Sequence, residues 1–261
     1  MVARSPGAAH ACLQLFTVRH ALSRDRAGTF RRIHELGFRA IETAGFSGEL
    51  PSAAHRDELA CHGLEVVSNY FVGPSDRFAE HLDEQQAFGN DTVIVGLDAT
   101  YFTDHSSVLG AVEVVNAFAD QCASKGIRLG YHNHPWEVSV LENGQIALAV
   151  LEAGLREEVF FEFDFYWAQV GGLPIDAARA IVEPRLERLH LKDGPLPESQ
   201  QASVFGEGAF DLAAAIRAAP QARWHIIAFD EFDGDMLEAA GHDLDYLLDL
   251  GLSDVDVSIA G

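Results

Sequence analysis

Within GYHNHPWEV, residues 130–138, His132 and His134 stand one residue apart, with Asn133 between them and Glu137 close behind. Imidazole changes protonation near neutral pH and ligates transition-metal ions, so the pair offers a base, a ligand or both. Two later segments add groups of matching chemistry: VFFEFDF (159–165) carries Asp164, and LERLHLK (186–192) carries His190 and Lys192. Imidazoles with a carboxylate suit Zn²⁺, Mn²⁺, Fe²⁺ or Co²⁺, whereas Mg²⁺ prefers more oxygen. The expected ligands are Asp164, His190 and His132. His132 and His134 divide the roles of ligand and base in an order the sequence leaves open, and Lys192 joins them as a catalytic candidate. Glu42, Asn69, Asn133, Trp167, Glu207 and Asp230 complete the set as candidate substrate contacts.

Taken singly, each of these residues has an ordinary explanation. The chain holds 12 histidines, and one alone is readily a surface or satisfied interior residue. Lys192 in HLKDG could pair with Asp164 or Asp193 as well as bind a substrate oxygen. Trp136 and Trp167 suit pocket walls, from which an indole can also stack on a sugar face. Glu207 lies in VFGEGAF, where Gly206 and Gly208 would let a loop run close over a site. His225 alternates with the inward-facing residues of its segment and reads as structural.

The elements that must position these groups repeat regularly. Strand-like runs occur at 12–18, 38–44, 64–71, 91–97, 127–133, 159–165, 186–192 and 224–230. Each precedes an amphipathic stretch, near 24–36, 51–62, 75–89, 106–125, 143–154, 174–183, 210–219 and 236–250. Gly37, Gly63, Gly126 and Gly154 stand near helix ends, where a left-handed cap favours glycine. Eight strand–helix units imply an α/β fold, a single-domain (β/α)8 TIM barrel over residues 1–261. A doubly wound open sheet is the alternative, but no GxGxxG follows the first strand. In a barrel the chemistry sits at the C-terminal strand ends, and alternate residues face inward. Alternation turns Glu42, Arg128, Gly130, His132, Glu162, Asp164, Arg188, His190 and Lys192 towards the interior. Unpaired charge there is costly unless a metal, a partner or solvent satisfies it, and that convergence favours a functional cluster.

Composition narrows the partners. The 40 acidic residues outnumber 18 Lys and Arg, a formal charge of −22 that repels nucleic acid and anionic membrane and suits a neutral sugar or a cation. No run approaches the roughly 20 apolar residues of a membrane span, and the N-terminus does not read as a signal peptide. The chain therefore reads as soluble and cytoplasmic, with room for a homo-oligomer. Cys12, Cys61 and Cys122 form no CxxC pair and read as free thiols in a reducing compartment. No basic cluster marks a phosphate site, which favours an unphosphorylated substrate.

An ordered set of motifs runs along nearly the whole chain: LQLFTVRHAL, LGFRAIETAGF, YHNHPWEV, FEFDFYWAQVGG, RLHLKDG, FGEGAFDL and WHIIAFDEFDGDMLEAAGHDLDYLLDLG. In these it resembles the sugar phosphate isomerase/epimerase family, the xylose isomerase-like TIM barrels that include inosose dehydratase and ketose 3-epimerases. The resemblance implies one divalent ion held by a glutamate of strand five, an aspartate of strand six, a histidine of strand seven and a glutamate of strand eight. Asp164 and His190 match the aspartate and histidine. His132 stands at the first glutamate's position, as in a YHNH subgroup, and Ala228 at the last.

The family's epimerases exchange a proton between two glutamates while the metal stabilises an enediolate. A methyl group at position 228 can neither ligate nor accept a proton, and Asp230, two residues on, would sit about 6–7 Å further along the strand. The implied activity is metal-dependent isomerisation or epimerisation of a sugar, cyclitol or keto-sugar by proton abstraction beside a carbonyl. A one-base dehydratase or lyase is the alternative, and a catalytically silent sugar-binding barrel or partner subunit is another. An apurinic endonuclease of the same superfamily would need more ligands and a basic DNA face.

Overall fold

In a computed structural model, residues 9–44, 53–73, 75–196 and 201–255 are described. Positions 51 and 52 of the expected second-unit helix lie outside these residues, as do Gly45 and Phe46 of LGFRAIETAGF. The strands are β1 (Ala9–Gln14), β2 (Ala40–Ala44), β3 (Glu65–Tyr70), β4 (Thr92–Val95), β5 (Arg128–His132), β6 (Phe160–Phe163), β7 (Leu186–Leu191), β8 (Trp224–Ile227) and β9 (Ser253–Asp254). The helices are α1 (Arg19–Arg24), α2 (Arg26–Glu35), α3 (Ala53–Cys61), α4 (Phe78–Phe88), α5 (His105–Ser124), α6 (Ala147–Gly154), α7 (Phe165–Val170), α8 (Ile175–Val182), α9 (Leu212–Arg217) and α10 (Met236–Asp249). Each of β1 to β7 pairs in parallel with the next, and β8 pairs with β1, so the sheet closes into the expected barrel.

Two faces of each strand sort by chemistry. Leu129 and Tyr131, Phe161 and Phe163, and Leu189 and Leu191 pack into the layer beneath the helices. The inner face is plugged at depth by Cys12, Ala40, Trp224 and Ile226, with Val67 against them. Gly130 belongs to this packing: a Cβ there would come within 2.6 Å of the Phe160 ring and of Ile94, so only glycine admits the phenyl group. Above the plug the inward residues become polar, and they lie at the strand ends where the loops begin.

Several boundaries differ from expectation. The first strand is Ala9–Gln14, and Leu15–Val18 of the expected run form a 3₁₀ turn. Helix α7 follows β6 at once, because Asp164 caps it, accepting from Trp167 N at 2.8 Å. Strand β9, absent from the sequence reading, pairs with β1 through Ala9 and His10. His10 Nδ1 meets Asp254 Oδ1 at 2.7 Å, and the outward-facing His225 meets Ser253 Oγ at 2.7 Å. Gly37, Gly63 and Gly126 have φ of 111°, 68° and 68°, but Gly154 is helical: its missing Cβ would press on Val112 of α5, so close helix packing explains it. No helix among the described residues is long and apolar enough to cross a membrane.

Candidate metal centre at the barrel mouth

β5, β6 and β7 are adjacent, so their C-terminal ends bring His132, Asp164 and His190 together. The three are 2%, 0% and 4% exposed. One donor atom from each lies within 4.8 Å of the others. His190 Nδ1 is 3.9 Å from Asp164 Oδ2, and the His132 and His190 rings meet edge to face at 4.3 Å between centroids. The backbone beside them is clamped. Asn133 donates from its amide to Asp164 O at 3.1 Å and accepts from Asp164 N at 2.9 Å.

The protonation states follow from burial. Desolvation pushes His132 and His190 well below the usual imidazole range, with the Lys192 charge adding to it, so both rings are neutral and available as donors. Desolvation raises Asp164 to about 7, against the opposing charge of Lys192. His132 Nδ1, both ring nitrogens of His190, and Asp164 Oδ2 are buried without a hydrogen-bond partner. Such atoms are costly unless something satisfies them, and a cation bound by nitrogen and oxygen fits all of them at once. The donor set therefore fits the divalent ion expected.

Deeper in the barrel, Glu42 and Glu162 are both fully buried. Glu42 accepts from Gln14 Nε2 at 2.9 Å and from Ser68 Oγ at 2.7 Å, while no donor reaches either oxygen of Glu162 beyond the facing Glu42 carboxyl. Burial raises both carboxyls, Glu162 the more, since the Glu42 charge adds to it; Arg188 opposes the shift in each.

The remaining candidates divide. His134 caps the turn after β5 with its side chain 26% exposed, its ring stacked on Trp136 at 4.4 Å and its Nδ1 3.9 Å from Glu137 Oε1. Trp167 is buried beside the cluster, its indole N–H unpartnered, and Lys192 Nζ lies 4.9 Å from its ring centre. Lys192 pairs with Asp230, with Asp164 Oδ2 further off at 4.0 Å; Asp193 is not its partner. Asp230 is thereby tied to a cation, and its backbone oxygen accepts from Arg19 at 2.7 Å.

Three further candidates make contacts of their own. Asn69 turns away from the inward face of Ser68 and Tyr70 and donates to Thr43 Oγ1 at 2.8 Å. Asn133 spends its amide on the Asp164 backbone. Glu207 is exposed, and its glycine-flanked loop closes on Asp193 instead of the metal cluster. The Asp193 carboxylate accepts from the backbone of Gly194, Gly206, Gly208 and Phe210 at 2.7, 2.9, 3.2 and 3.2 Å. Ala228 is buried and continues the inward alternation of Trp224 and Ile226.

Two site residues were not singled out from the sequence. Tyr70 lies edge-on to His132 at 5.6 Å, and alternation from Ser68 would have placed it there. Glu137 is fully buried, accepting from Tyr131 Oη at 2.8 Å and from His134 N at 2.9 Å; its place three residues after His134 is the capping-box spacing.

A sequence profile of the xylose isomerase-like TIM barrel family matches residues 30–249. No curated protein sequence matches the chain significantly. Among solved structures, the fold is similar to a sugar phosphate isomerase/epimerase from Parabacteroides distasonis (TM-score 0.78, 18% identity, covering 93% of this chain and 94% of that one). It is also similar to the IOLI protein crystallised with a zinc atom (TM-score 0.73, 13% identity, 93% and 98% covered). A third likeness is to a probable 3-DHS dehydratase, AsbF, from Bacillus anthracis (TM-score 0.69, 12% identity, 92% and 98% covered).

Proposed function

The chain belongs to the xylose isomerase-like TIM barrel family, and on that footing we propose that it is a metal-dependent isomerase or epimerase of a small sugar, cyclitol or keto-sugar. One observation carries this reading: three buried donors, His132, Asp164 and His190, converge with their facing atoms left without hydrogen bonds. A divalent ion held by them supplies charge stabilisation at a carbonyl oxygen, which acidifies the neighbouring C–H.

His132 is assigned as a ligand, because it is the more deeply buried imidazole of the pair. His134 is assigned as the base. Its ring reaches the open side of the mouth, and its Nδ1 is turned towards Glu137, which leaves Nε2 to take the proton. The Glu137 carboxylate then steadies the imidazolium, as an anion beside a cationic ring does. Lys192 and the indole N–H of Trp167 offer donors to substrate hydroxyls, and the Trp167 ring supplies an apolar wall for a sugar face.

Ala228 favours a second reading. With a methyl group where a second proton-handling side chain would stand, the reaction runs more simply with one base. His134 removes the proton and returns it to the departing oxygen, so that a C=C bond forms as the β C–O bond breaks and water or an alcohol leaves, as in a dehydratase or lyase. Solvent deuterium exchange into a panel of ketoses and 3-keto-sugars, with metal content measured in parallel, tests both readings. Exchange without elimination supports the isomerase, and elimination supports the lyase. A protein that binds the ion but neither exchanges nor eliminates on any substrate is the silent barrel, and this reading fails.

A further inference from the structure

We propose a second cation site deeper in the barrel, formed by Glu42 and Glu162 with His190 standing between it and the ion at the mouth. It shares His190 with the proposed outer site but stands on different observations. Donor atoms of Glu42, Glu162 and His190 lie within 4.8 Å of one another, and all three residues are buried. The carboxylates are not merely an acidic cluster, because fully buried Glu162 meets no donor beyond the facing Glu42 carboxyl, and His190 has no hydrogen-bond partner at either ring nitrogen.

A metal-bound imidazole normally donates its other N–H to a carboxylate, a carbonyl or water. His190 donates to none of these, although two carboxylates face it at ligand spacing. With both nitrogens unpartnered, the His190 ring can serve two ions at once as an imidazolate, its N–H proton leaving to solvent as the second ion binds. Charge points the same way. Arg188 is the cation nearest the pair, but its guanidinium donates to Ser68 Oγ at 3.0 Å and Val67 O at 3.2 Å. Neither contact reaches a carboxylate oxygen, so among the described residues no cationic side chain is hydrogen-bonded to Glu42 or Glu162. Glu42 is held still by Gln14 and Ser68 yet keeps a lone pair on each oxygen, and Glu162 keeps both oxygens whole. Two carboxylates and one imidazole fit Zn²⁺, Mn²⁺ or Fe²⁺ better than Ca²⁺, which takes more oxygen ligands.

Metal counting on the full chain tests this. The protein is stripped with chelator, loaded with excess Zn²⁺ or Mn²⁺, dialysed and measured by mass spectrometry of the metal against protein. Wild type is expected to retain two equivalents, Glu162→Gln one and Asp164→Asn one. The amide at position 162 keeps size and polarity, and Glu42→Gln repeats the test from the other carboxylate should the first variant not fold. An unchanged count in Glu162→Gln overturns the inner site, as does a single equivalent in wild type that Asp164→Asn removes. The two proposals fail differently. One equivalent in wild type that Asp164→Asn removes leaves the mouth site standing, whereas a count that Asp164→Asn leaves unchanged sinks the mouth site and spares the inner one.

Discussion

His190 Nδ1 and Asp164 Oδ2 face each other at 3.9 Å, and neither atom has a hydrogen-bond partner. The gap is too long for a hydrogen bond, and two ligands each about 2.0–2.2 Å from one ion can span it. Replacing either member should therefore abolish binding at the mouth. Asp164→Asn and His190→Ala are each expected to weaken Zn²⁺ there by more than the roughly 10–100-fold that loss of an outer partner costs, read by competition with a chromophoric chelator. Affinity within tenfold of wild type for Asp164→Asn would remove Asp164 from the ligand set.

The raised carboxyl of Asp164 makes binding depend on pH. In the metal-free protein Asp164 holds its proton up to about 7, while the buried imidazoles are already neutral. A cation must displace that proton, so apparent affinity should climb by up to about tenfold per pH unit below 7 and level off above it. The sign for stability runs the other way without metal. A carboxyl whose folded value is raised binds its proton more tightly in the native state, so its contribution is lost as pH rises from the ordinary carboxylate range through about 7. The increase in Tm on adding Zn²⁺ should accordingly be larger at pH 8 than at pH 5.5, and Asp164→Asn should flatten the difference.

Acid should weaken the fold at His225. Burial lowers this imidazole to about 3, with His10 adding to the shift. An unfolded histidine near 6.5 binds the proton more readily, so the stabilisation is whole above 6.5 and declines as pH falls towards 3, at no more than about 1.4 kcal/mol per pH unit. Urea titrations between pH 7 and pH 5 should show that slope, and His225→Gln should reduce it. An identical slope in the variant would shift the effect to other groups.

Restoring an acid at position 228 offers a gain-of-function test. Ala228→Glu buries a carboxylate at a position that is 1% exposed, so the metal-free variant should melt below wild type. Added Zn²⁺ or Mn²⁺ should reverse more of that loss than the same ion adds to wild type, and proton exchange on the ketose panel should rise. A variant whose metal occupancy and exchange match wild type would refute this account of Ala228.

The loop at 204–210 depends on one carboxylate. Asp193 accepts from four backbone N–H groups, and removing it orphans them all. With each orphan costing about 1–3 kcal/mol, Asp193→Ala should lose about 3 kcal/mol or more, a fall of roughly 6–12 °C in Tm. Tm within 2 °C of wild type would show that water replaces the carboxylate without cost.

The barrel and its inward residues could be read from the sequence because both rest on short-range periodicity. Phe161 and Phe163 alternate with Glu162 and Asp164, and that alone fixes which side chains face the interior. What the pattern could not supply was the partner of each inward group. Lys192 pairs with Asp230, which lies on a different strand end, and the glycines beside Glu207 promise closeness to something without naming it. That something is Asp193. Asn69 faces Thr43 for a local reason: the β2–β3 register shifts between Ile41 and Glu42, pairing Glu42 with Ser68 and Asn69 with Thr43. Strand β9 has two residues, too short for any periodicity to announce it.

The plug of Cys12, Ala40, Trp224 and Ile226, with the Phe160 ring filling the gap left by Gly130, closes the barrel from below. On the proposal of an inner site, its ion then enters from the mouth, past Asp164 and His190. Whatever occupies the inner position must load first and depart last, so chelators should strip the protein in two kinetic phases, the slower belonging to the Glu42–Glu162 level.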